Sequence, residues 1–344
     1  MTRLGISLGW SSREPADRIV GLVRRAEELG VDTCWVVDSQ LAMRDAFVLL
    51  AILARETESI ALGPGVTNLV TRHETVVANA VATLASVAPG RILLGLGAGD
   101  SAVFSIGRKP QRVDDLRRGI DRLRRLLAGE DVEGRARPLH LSSAPDPPPP
   151  IHVAASQPRM LELAGAVADG VIIMGPADPE VIRLQMESID GGARTAGRDP
   201  GEVERDLWVT MAVGEPSDAV GAVRSWASTQ ARWLARWERL PESLEPFRPE
   251  MERAARVYDF DDHLSVSARH ARVVGDELAM RLAVAGPLET CRDRLSALVS
   301  LGPSRVTLAL LSGGRGRRLE EIVDVWQGVR PVGEARQRAG AGDA

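Results

Sequence analysis

Residues 60–100 read IALGPGVTNLVTRHETVVANAVATLASVAPGRILLGLGAGD, and this stretch decides the fold. It opens with an apolar run that closes at Gly65-Val66 and continues into a polar loop. Apolar residues then recur at helical spacing over about 74–87, and a continuous apolar run follows over 91–97. The pattern predicts a strand, a loop, a helix and a second strand.

Both predicted strands end in motifs that contain glycine. The first ends in Pro-Gly-Val-Thr-Asn, and the second ends with Gly95, Gly97 and Gly99 just before Asp100. A residue without Cβ tolerates unusual backbone geometry and lets a flat ligand approach the backbone closely. The carboxyl ends of these two strands are therefore candidate ligand-binding positions.

The alternation of strand and helix runs through most of the chain. Residues 15–30 predict a helix between the strands LGISLG (4–9) and TCWVVD (33–38), and a crossover of that length makes the two strands parallel. The remaining predicted strands are IHVAA (151–155), VIIM (171–174), LWVTMAV (207–213) and RVTLALL (305–311). Eight strands that alternate with helices favour a (β/α)8 TIM barrel, an α/β fold, over an open doubly wound sheet.

We predict a single barrel domain over residues 1–333 with a helical insertion at about 214–304. The insertion is too long for one barrel helix, and its prolines and glycines divide it into several. Four consecutive prolines before residue 151 predict an extended connection over 129–150. The small and polar residues of 334–344 predict a disordered tail.

Composition argues against several classes of function. The chain has 43 basic and 47 acidic residues and a formal net charge of −4, which gives no electrostatic reason to expect nucleic-acid binding. Cys34 and Cys291 fit neither a metal-binding spacing nor a disulfide framework. Because the sequence shows no apolar run of about 18 residues and no signal pattern, we expect a cytoplasmic protein without a membrane span.

Catalytic groups in such barrels project from the carboxyl ends of the strands. The residues at these ends are mostly small, polar and uncharged, which suits a flat cofactor that lies against backbone. They lack the clustered histidine, cysteine and carboxylate groups of a metal site, so no metal is predicted. The candidate cofactor-binding residues are Asp38, Gly65, Val66, Thr67, Asn68, Gly97, Ala98, Gly99, Ser101, Ala155, Ser156, Gln157, Gly175 and Pro176. Asp100 and Ser39 lie at these ends as well.

Two of these motifs together carry a family resemblance. LGPGVTNLVTRH (62–73), followed by GRILLGLGAGDSA (90–102), resembles the luciferase-like flavin monooxygenase and F420-dependent oxidoreductase superfamily. The resemblance is greatest to its methylenetetrahydromethanopterin-reductase-like branch and covers most of residues 4–175. It implies a barrel with an insertion in its second half and coenzyme F420, a deazaflavin, as the cofactor, with FMN as the alternative.

The resemblance also assigns roles to individual residues, and it makes Asp100 and Ser39 the candidate catalytic residues. Asp100 matches an acidic residue that serves near the hydride-accepting carbon in F420-dependent sugar-phosphate dehydrogenases, or else it caps the helix that begins at Ser101. Ser39 stands where those dehydrogenases carry a histidine base, which argues against the same alcohol oxidation. Asp38 belongs to the cofactor wall by resemblance, or is a structural carboxylate. A cis peptide is implied at Gly65-Val66.

Other residues are assigned to the remaining parts of the cofactor. Asn68 is a candidate amide partner for the ring. The resemblance places the cofactor phosphate at the helix start of VAASQPRM (153–160), where Ser156 would cap the helix, and at Gly175-Pro176. The candidates for the anionic oligoglutamate tail of F420 are Arg72, Arg108 and Lys109. The alternative for these cations is plain solvation.

The leading hypothesis is an F420-dependent oxidoreductase that transfers a hydride between the deazaflavin and a small organic substrate. One alternative is an FMN-dependent luciferase-like monooxygenase that uses reduced flavin and O2. A second is a non-catalytic flavin-binding homologue, which the change at Ser39 permits. We also expect a homodimer, and we consider a separate F420 or flavin reductase as a partner.

Tryptophans mark one part of the insertion. Trp226, Trp233 and Trp237 are spaced by seven and four residues, which predicts a single helix face. Because the prolines that follow separate this segment from a regular barrel helix, we hypothesise that residues 214–260 form a lid over the substrate. The alternative is that each tryptophan is an ordinary core residue. No motif in the segment identifies the substrate.

Overall fold

The computed structural model describes residues 1–260, 268–310 and 314–329, along which strands and helices alternate. The strands are β1 (Arg3–Leu8), β2 (Thr33–Val36), β3 (Ala61–Pro64), β4 (Thr67–Asn68), β5 (Leu94–Gly97), β6 (Ile151–Ala155), β7 (Gly170–Met174), β8 (Glu204–Val209), β9 (Met211–Val213), β10 (Val284–Gly286) and β11 (Arg305–Ala309). The helices are α1 (Ala16–Glu28), α2 (Ala46–Glu56), α3 (Glu74–Val87), α4 (Ser101–Phe104), α5 (Val113–Leu127), α6 (Pro158–Val167), α7 (Pro179–Thr195), α8 (Pro216–Leu234), α9 (Arg248–Arg256), α10 (Asp276–Leu282), α11 (Leu288–Val299) and α12 (Arg315–Gly328). No helix in these ranges is long and apolar enough to cross a membrane.

Nine strands form one sheet in the order β3-β2-β1-β11-β8-β7-β6-β5-β4. β1 pairs with β2, β2 with β3, β4 with β5, β5 with β6 and β11 with β8, each in parallel. A parallel bridge joins Leu62 of β3, at one end of this order, to Ile92, two residues before β5 near the other end. The amide of Leu93 also donates to the carbonyl of Leu62 at 2.9 Å. The sheet is therefore nearly closed, and the predicted (β/α)8 barrel is confirmed.

The chain divides into two compact units. The first comprises Gly5–Ile172 and Ser188–Glu204, and the second comprises Met1–Leu4, Ile173–Glu187 and the chain from Arg205 onward. The single domain over residues 1–333 stays a prediction. The expected tail at 334–344 lies outside the described residues.

In the first unit, large rings pack beside glycines. The Trp35 side chain is fully buried, and a Cβ on Gly63 or Gly95 would come within 2.8 or 3.0 Å of its ring. The ring of His152 lies 5.5 Å from that of Trp35, centroid to centroid, and a Cβ on Gly170 would come within 2.5 Å of the histidine. Because interiors are packed as densely as organic crystals, each ring requires the space that a glycine leaves.

Several predicted element ends match the structure. The helix predicted at about 74–87 is α3, and His73 is its N-cap, with Nδ1 accepting a hydrogen bond from the Thr75 amide at 3.3 Å. Gly30 follows the end of α1 with a φ of +82°, a conformation that favours glycine. The connection over residues 129–150 contains no helix, as its prolines predict.

The strand predicted at 207–213 is wrong in one respect, because it is divided at Thr210. β8 ends at Val209 and pairs with β11 in the barrel, whereas β9 pairs with β10 in a separate two-stranded parallel sheet. The amide of Val284 donates to the carbonyl of Thr210 at 3.0 Å, so the chain changes partner at that residue. A continuous apolar pattern cannot show a change of partner, and the three residues of β10 are too few to predict.

The insertion builds a hydrophobic core within the second unit. Helices α8, α9 and α10 contribute buried apolar side chains to it. Trp237 is 6% exposed in this core, but α8 ends at Leu234, so the prediction of one helix face is wrong for Trp237. Trp226 and Trp233, seven residues apart on α8, are half-buried and share a face. Their role in a lid stays a prediction.

Candidate active site

The two glycine-containing motifs meet at the carboxyl ends of β3 and β5. The peptide bond between Gly65 and Val66 is cis, as the resemblance implies. A Cβ on Gly97 would lie 2.9 Å from Val66 Cγ2, and a Cβ on Gly95 would lie 3.1 Å from Val66 Cγ1. Both distances are too short for carbon atoms in contact, so the two glycines leave the space that the Val66 side chain fills.

Asp38 is held by side chains of the same unit. Its carboxylate accepts a hydrogen bond from Thr67 Oγ1 at 2.7 Å and two from the Arg72 guanidinium at 3.1 and 3.2 Å. Asp38 and Thr67 are both buried. These bonds fix Thr67, and with it the neighbouring Gly65-Val66 peptide, to the end of β2. The side-chain geometry favours the structural alternative for Asp38.

Arg72 extends this network to α2. Its Nη2 donates to Asp45 Oδ2 at 2.8 Å, and its guanidinium carbon lies 4.8 Å from the ring centroid of Phe47. Burial would raise the pKa of Asp45, but hydrogen bonds from Arg72 and from two backbone amides outweigh it and hold the pKa below its usual 3.8. Because two carboxylates already pair with Arg72, the geometry argues against the predicted contact between Arg72 and a cofactor tail.

Asn68 is oriented by its own loop. Its Oδ1 accepts hydrogen bonds from the amides of Val70 and Thr71 at 3.0 and 2.9 Å and from Thr71 Oγ1 at 3.1 Å. Three donors at one oxygen set the orientation of the amide. In the described part of the chain, Asn68 Nδ2 has no hydrogen-bond partner, so it can donate to the carbonyl of a ligand ring.

The loop after β2 is joined to α4. Ser39 Oγ lies 3.3 Å from Ser101 Oγ, and Gln40 Nε2 donates to the carbonyl of Ala102. The structure thus brings together the predicted residues Ser39 and Ser101, which are 62 positions apart. Gln40 follows Asp38-Ser39 at the same strand end, but it is not among the candidate site residues named from the sequence.

Asp100 is the N-cap residue of α4, but its side chain makes no capping hydrogen bond. The backbone carbonyl of Asp100 instead accepts from the amides of Val103 and Phe104 at 2.9 Å each. Gly99, directly before it, has a φ of +100°, and a Cβ there would collide with Val103. The alternative in which the Asp100 carboxylate serves as a helix cap is therefore wrong.

The predicted phosphate position at α6 needs one correction. The helix begins at Pro158, and its N-cap is Gln157 rather than Ser156, because the extended backbone continues for one more residue (φ −106°, ψ 145°). No side chain caps this helix end. Pro158 has no N–H, and the amides of Met160 and Leu161 both donate to the Gln157 carbonyl at 2.9 Å. The Arg159 amide is therefore the first-turn donor that the described residues leave for a phosphate. Ala155 lies at the end of β6, two residues before the N-cap.

The second predicted phosphate position, Gly175-Pro176, is less suitable. Both residues are buried, and the Gly175 carbonyl accepts a hydrogen bond from Gln230 Nε2 at 2.8 Å. The following helix, α7, is already capped, because Asp178 Oδ1 accepts from the amides of Glu180 and Val181 at 3.0 and 3.2 Å. A carboxylate at this helix end repels a phosphate, so α6 is the better candidate of the two.

The residues of the first unit fit a flat cofactor with a phosphate. The Val66 side chain is packed against Gly95 and Gly97, which fixes it at the carboxyl ends of β3 and β5. Asn68 offers a donor to a ring carbonyl, and the Arg159 amide at the start of α6 offers a donor to a phosphate. Among the residues that the structure describes, no group of three histidine, cysteine or acidic side chains could hold a metal ion.

Comparison with known proteins identifies the family. Residues 2–305 match the model of the luciferase-like monooxygenases. The chain belongs to the luciferase-like monooxygenase family. It is 30% identical over 302 residues to 5,10-methylenetetrahydromethanopterin reductase of Methanolobus tindarius, which covers 85% of this chain and 90% of that protein. It is also 34% identical over 231 residues to F420-dependent hydroxymycolic acid dehydrogenase of Mycobacterium tuberculosis, with 62% of this chain and 64% of that protein covered.

A solved structure gives the same fold. The luciferase-like chain superimposes on coenzyme F420-dependent tetrahydromethanopterin reductase of Methanopyrus kandleri with a TM-score of 0.78, over 96% of this chain and 99% of that chain. The sequence identity of 22% means that this likeness shows the fold alone. Together the comparisons confirm the resemblance that motifs 62–73 and 90–102 indicate.

The Arg72 network of this luciferase-like protein predicts a stability effect. Breaking a buried ion pair costs about 3–5 kcal/mol. Because the Arg72 side chain is 24% exposed, solvent screening reduces this cost. We expect Arg72→Met to lower the free energy of unfolding at pH 7 by roughly 2–3 kcal/mol. Urea denaturation measures this loss. Arg118→Met, which breaks only the exposed pair with Asp115, is the control and should change the free energy by less than about 0.5 kcal/mol.

The same variant has an expected pH dependence. Because the pKa of Asp45 is lowered on folding, its contribution is complete above the unfolded pKa and is lost as pH falls through the lower folded pKa. The stability difference between wild type and Arg72→Met should therefore be constant from pH 7 to about pH 5 and shrink below about pH 4. A difference that stays constant down to pH 3, or is absent at pH 7, would contradict the account.

Proposed function

We propose that the protein is an F420-dependent oxidoreductase that transfers a hydride between the deazaflavin and a small organic substrate. The observation that carries the proposal is the wall that the Val66 side chain forms where it packs against Gly95 and Gly97. It stands at the carboxyl ends of barrel strands, where sites in this fold are built. The two curated relatives support it, since one is named a methylenetetrahydromethanopterin reductase and the other an F420-dependent dehydrogenase.

Residues of this chain would hold the cofactor as follows. Val66 and the backbone of Gly65 would contact its ring, and Asn68 Nδ2 would donate to a ring carbonyl. The Arg159 amide at the start of α6 would donate to its phosphate. When bound, F420 would supply a carbon that accepts or releases hydride. The chain itself then has to orient the substrate, exclude water and handle any proton that accompanies the hydride.

Asp100 is the residue to which we assign the proton. Its carboxylate is not engaged as a cap of α4, and it follows directly on the Gly97-Ala98-Gly99 motif beside Val66. Ser39 is less suited to this role, because a serine hydroxyl is a weak base and this one lies against Ser101. We therefore assign Ser39 to positioning α4, and with it Asp100, rather than to proton transfer.

Cofactor choice is tested first, by titrating the purified protein with oxidised F420 and with FMN and following absorbance and fluorescence. The proposal expects saturable binding of F420 and weaker binding of FMN. Tighter binding of FMN, with oxygen consumption when reduced flavin is supplied, would replace it by the monooxygenase alternative. Binding of FMN without turnover would support the non-catalytic alternative. The class of substrate is tested separately, by assaying a panel of carbonyl and unsaturated compounds with reduced F420.

Asp100→Asn tests the catalytic assignment. Removing a general acid or base should lower kcat by roughly 10²–10⁴ while leaving the F420 Kd within about twofold. Stopped-flow measurement of F420 reduction or oxidation gives the rate, and a separate titration gives the Kd. Asp114→Asn, an exposed carboxylate in the first turn of α5, is the control and should keep the wild-type rate. Loss of F420 binding without a separate effect on kcat would show that Asp100 holds the cofactor instead.

Self-association remains part of the proposal. Three valines on α2 and α3 are unusually exposed for apolar side chains, with Val48 at 55%, Val76 at 53% and Val87 at 41%. Exposed apolar residues on neighbouring helices support the expected homodimer. Light scattering at micromolar concentration checks it, and a monomer mass would contradict it. A cytoplasmic location and a partner reductase also remain proposals, to be checked by fractionation and by affinity capture from the native host.

A further inference from the structure

Three cations lie within five residues of the loop between α4 and α5. Arg108, Lys109 and Arg112 are all exposed, and none forms an ion pair with any residue that the structure describes. A single unpaired charge on a protein surface is common and needs no special explanation. Three without an acidic partner in so short a loop form a local positive field that can attract an anion.

The adjoining helix shows that unpaired cations are not general in this region. On α5, Arg118 pairs with Asp115, Arg122 with Glu74 at 3.0 Å, Arg124 with Asp169 at 3.1 Å and Arg125 with Glu130 at 3.0 Å. The helix thus matches these arginines with acids, whereas the loop before it does not. Asp115 is engaged by Arg118, so Asp114 is the acidic neighbour that offsets part of the loop's charge.

The loop is fixed to the candidate active site. The amide of Gln111 donates to the carbonyl of Ala98 at 2.8 Å, and the amide of Arg108 donates to the carbonyl of Val103 at 3.1 Å. Ala98 belongs to the Gly97-Ala98-Gly99 motif, and Val103 lies in α4, where its amide donates to the Asp100 carbonyl at 2.9 Å. The backbone therefore ties the positive charges directly to the motif at which the ring of the cofactor is proposed to bind.

We propose that this basic loop, Arg108, Lys109 and Arg112, binds the glutamate tail of F420. The inference rests on the proposed cofactor. The tail is a flexible chain of carboxylates that extends away from the ring, and exposed arginine and lysine side chains suit such a ligand because they can follow it without a fixed geometry. Arg72 is not part of this surface, because Asp38 and Asp45 already pair with it.

The test compares two forms of the cofactor, F420 with its glutamates and the same deazaflavin phosphodiester without them. Exposed ion pairs contribute up to about 1 kcal/mol each, and every 1.4 kcal/mol is tenfold, so three contacts correspond to roughly 10- to 100-fold in Kd at low salt. The variant Arg108→Ser/Lys109→Ser/Arg112→Ser should therefore bind the tailed form roughly 10- to 100-fold more weakly. Its Kd for the tail-free form should stay within about twofold of the wild-type value.

Salt provides a second readout, because screening weakens exposed ionic contacts. Between about 20 and 500 mM NaCl the Debye length falls several-fold. Over this range the wild-type Kd for the tailed form should rise, while the Kd of the triple variant should change little. Arg117→Ser, which removes an exposed arginine further along α5, is the control and should bind both forms like the wild type. Melting temperatures of all variants should agree with that of the wild type, since every substituted side chain is exposed.

The outcomes separate this inference from the proposed function. If wild type and triple variant bind the tailed form equally, the basic loop does not bind the tail, although F420 remains the cofactor. If the triple variant loses affinity for both forms alike, the loop acts on the ring or phosphate and the tail assignment is wrong. If the wild type binds neither form, the proposed cofactor is wrong and the tail assignment falls with it.

Discussion

The side chain of Val66 occupies the space that a Cβ at Gly97 would require, and the rest of the candidate site depends on this contact. On one side of Val66, Gly95 and Gly97 of β5 must lack side chains. On the other side, Thr67 is bonded to Asp38 at the end of β2. The Gly65-Val66 peptide is thus held between two neighbouring parts of the barrel. A close-packed contact of this kind cannot shift gradually, which makes the wall rigid before any ligand binds.

Charge is distributed around this wall in two different ways. Arg72 is enclosed by Asp38 and Asp45 and lies against Phe47, so its positive charge stabilises the scaffold. The cations of the loop that follows α4 have no such partners among the described residues. This difference separates residues that hold the site together from residues that are free to meet an anionic ligand. Residue type alone does not distinguish them, since Arg72 and Arg108 look equivalent in the sequence.

Much of the fold could be predicted from periodicity and glycine placement. The helix at 74–87, the end of α1 at Gly30 and the eightfold alternation follow from local rules that leave a direct pattern in the sequence. The change of partner at Thr210 could not be predicted, because an extended apolar strand looks the same whichever neighbour it pairs with. The pattern also assigned Trp237 to a helix that ends three residues earlier, because residue spacing alone does not show where a helix stops.

The site could be predicted as a set of positions but not as a set of contacts. Motifs placed Gly65, Val66, Asn68 and Asp100 at strand ends, and the cis peptide followed from the family resemblance. The pairing of Arg72 with Asp38 joins residues 34 positions apart, and no local signal marks it. The sequence also predicted that a ligand could approach Gly95 closely. In the structure this glycine instead makes room for the Trp35 ring and for Val66.

The most direct test of this account is a double-mutant cycle between Val66 and Gly97, read as the free energy of unfolding. Besides Val66, the nearest atom to a Cβ at Gly97 is Ala154 Cβ at 3.9 Å, so Val66 is the single close obstacle. Gly97→Ala should cost roughly 1–3 kcal/mol in the wild type by overpacking. In a Val66→Ala background the cost should fall by about 1 kcal/mol or more, because the obstructing methyl groups are gone. Costs that add to within about 0.3–0.5 kcal/mol would show that the two motifs are independent and would contradict the interlock.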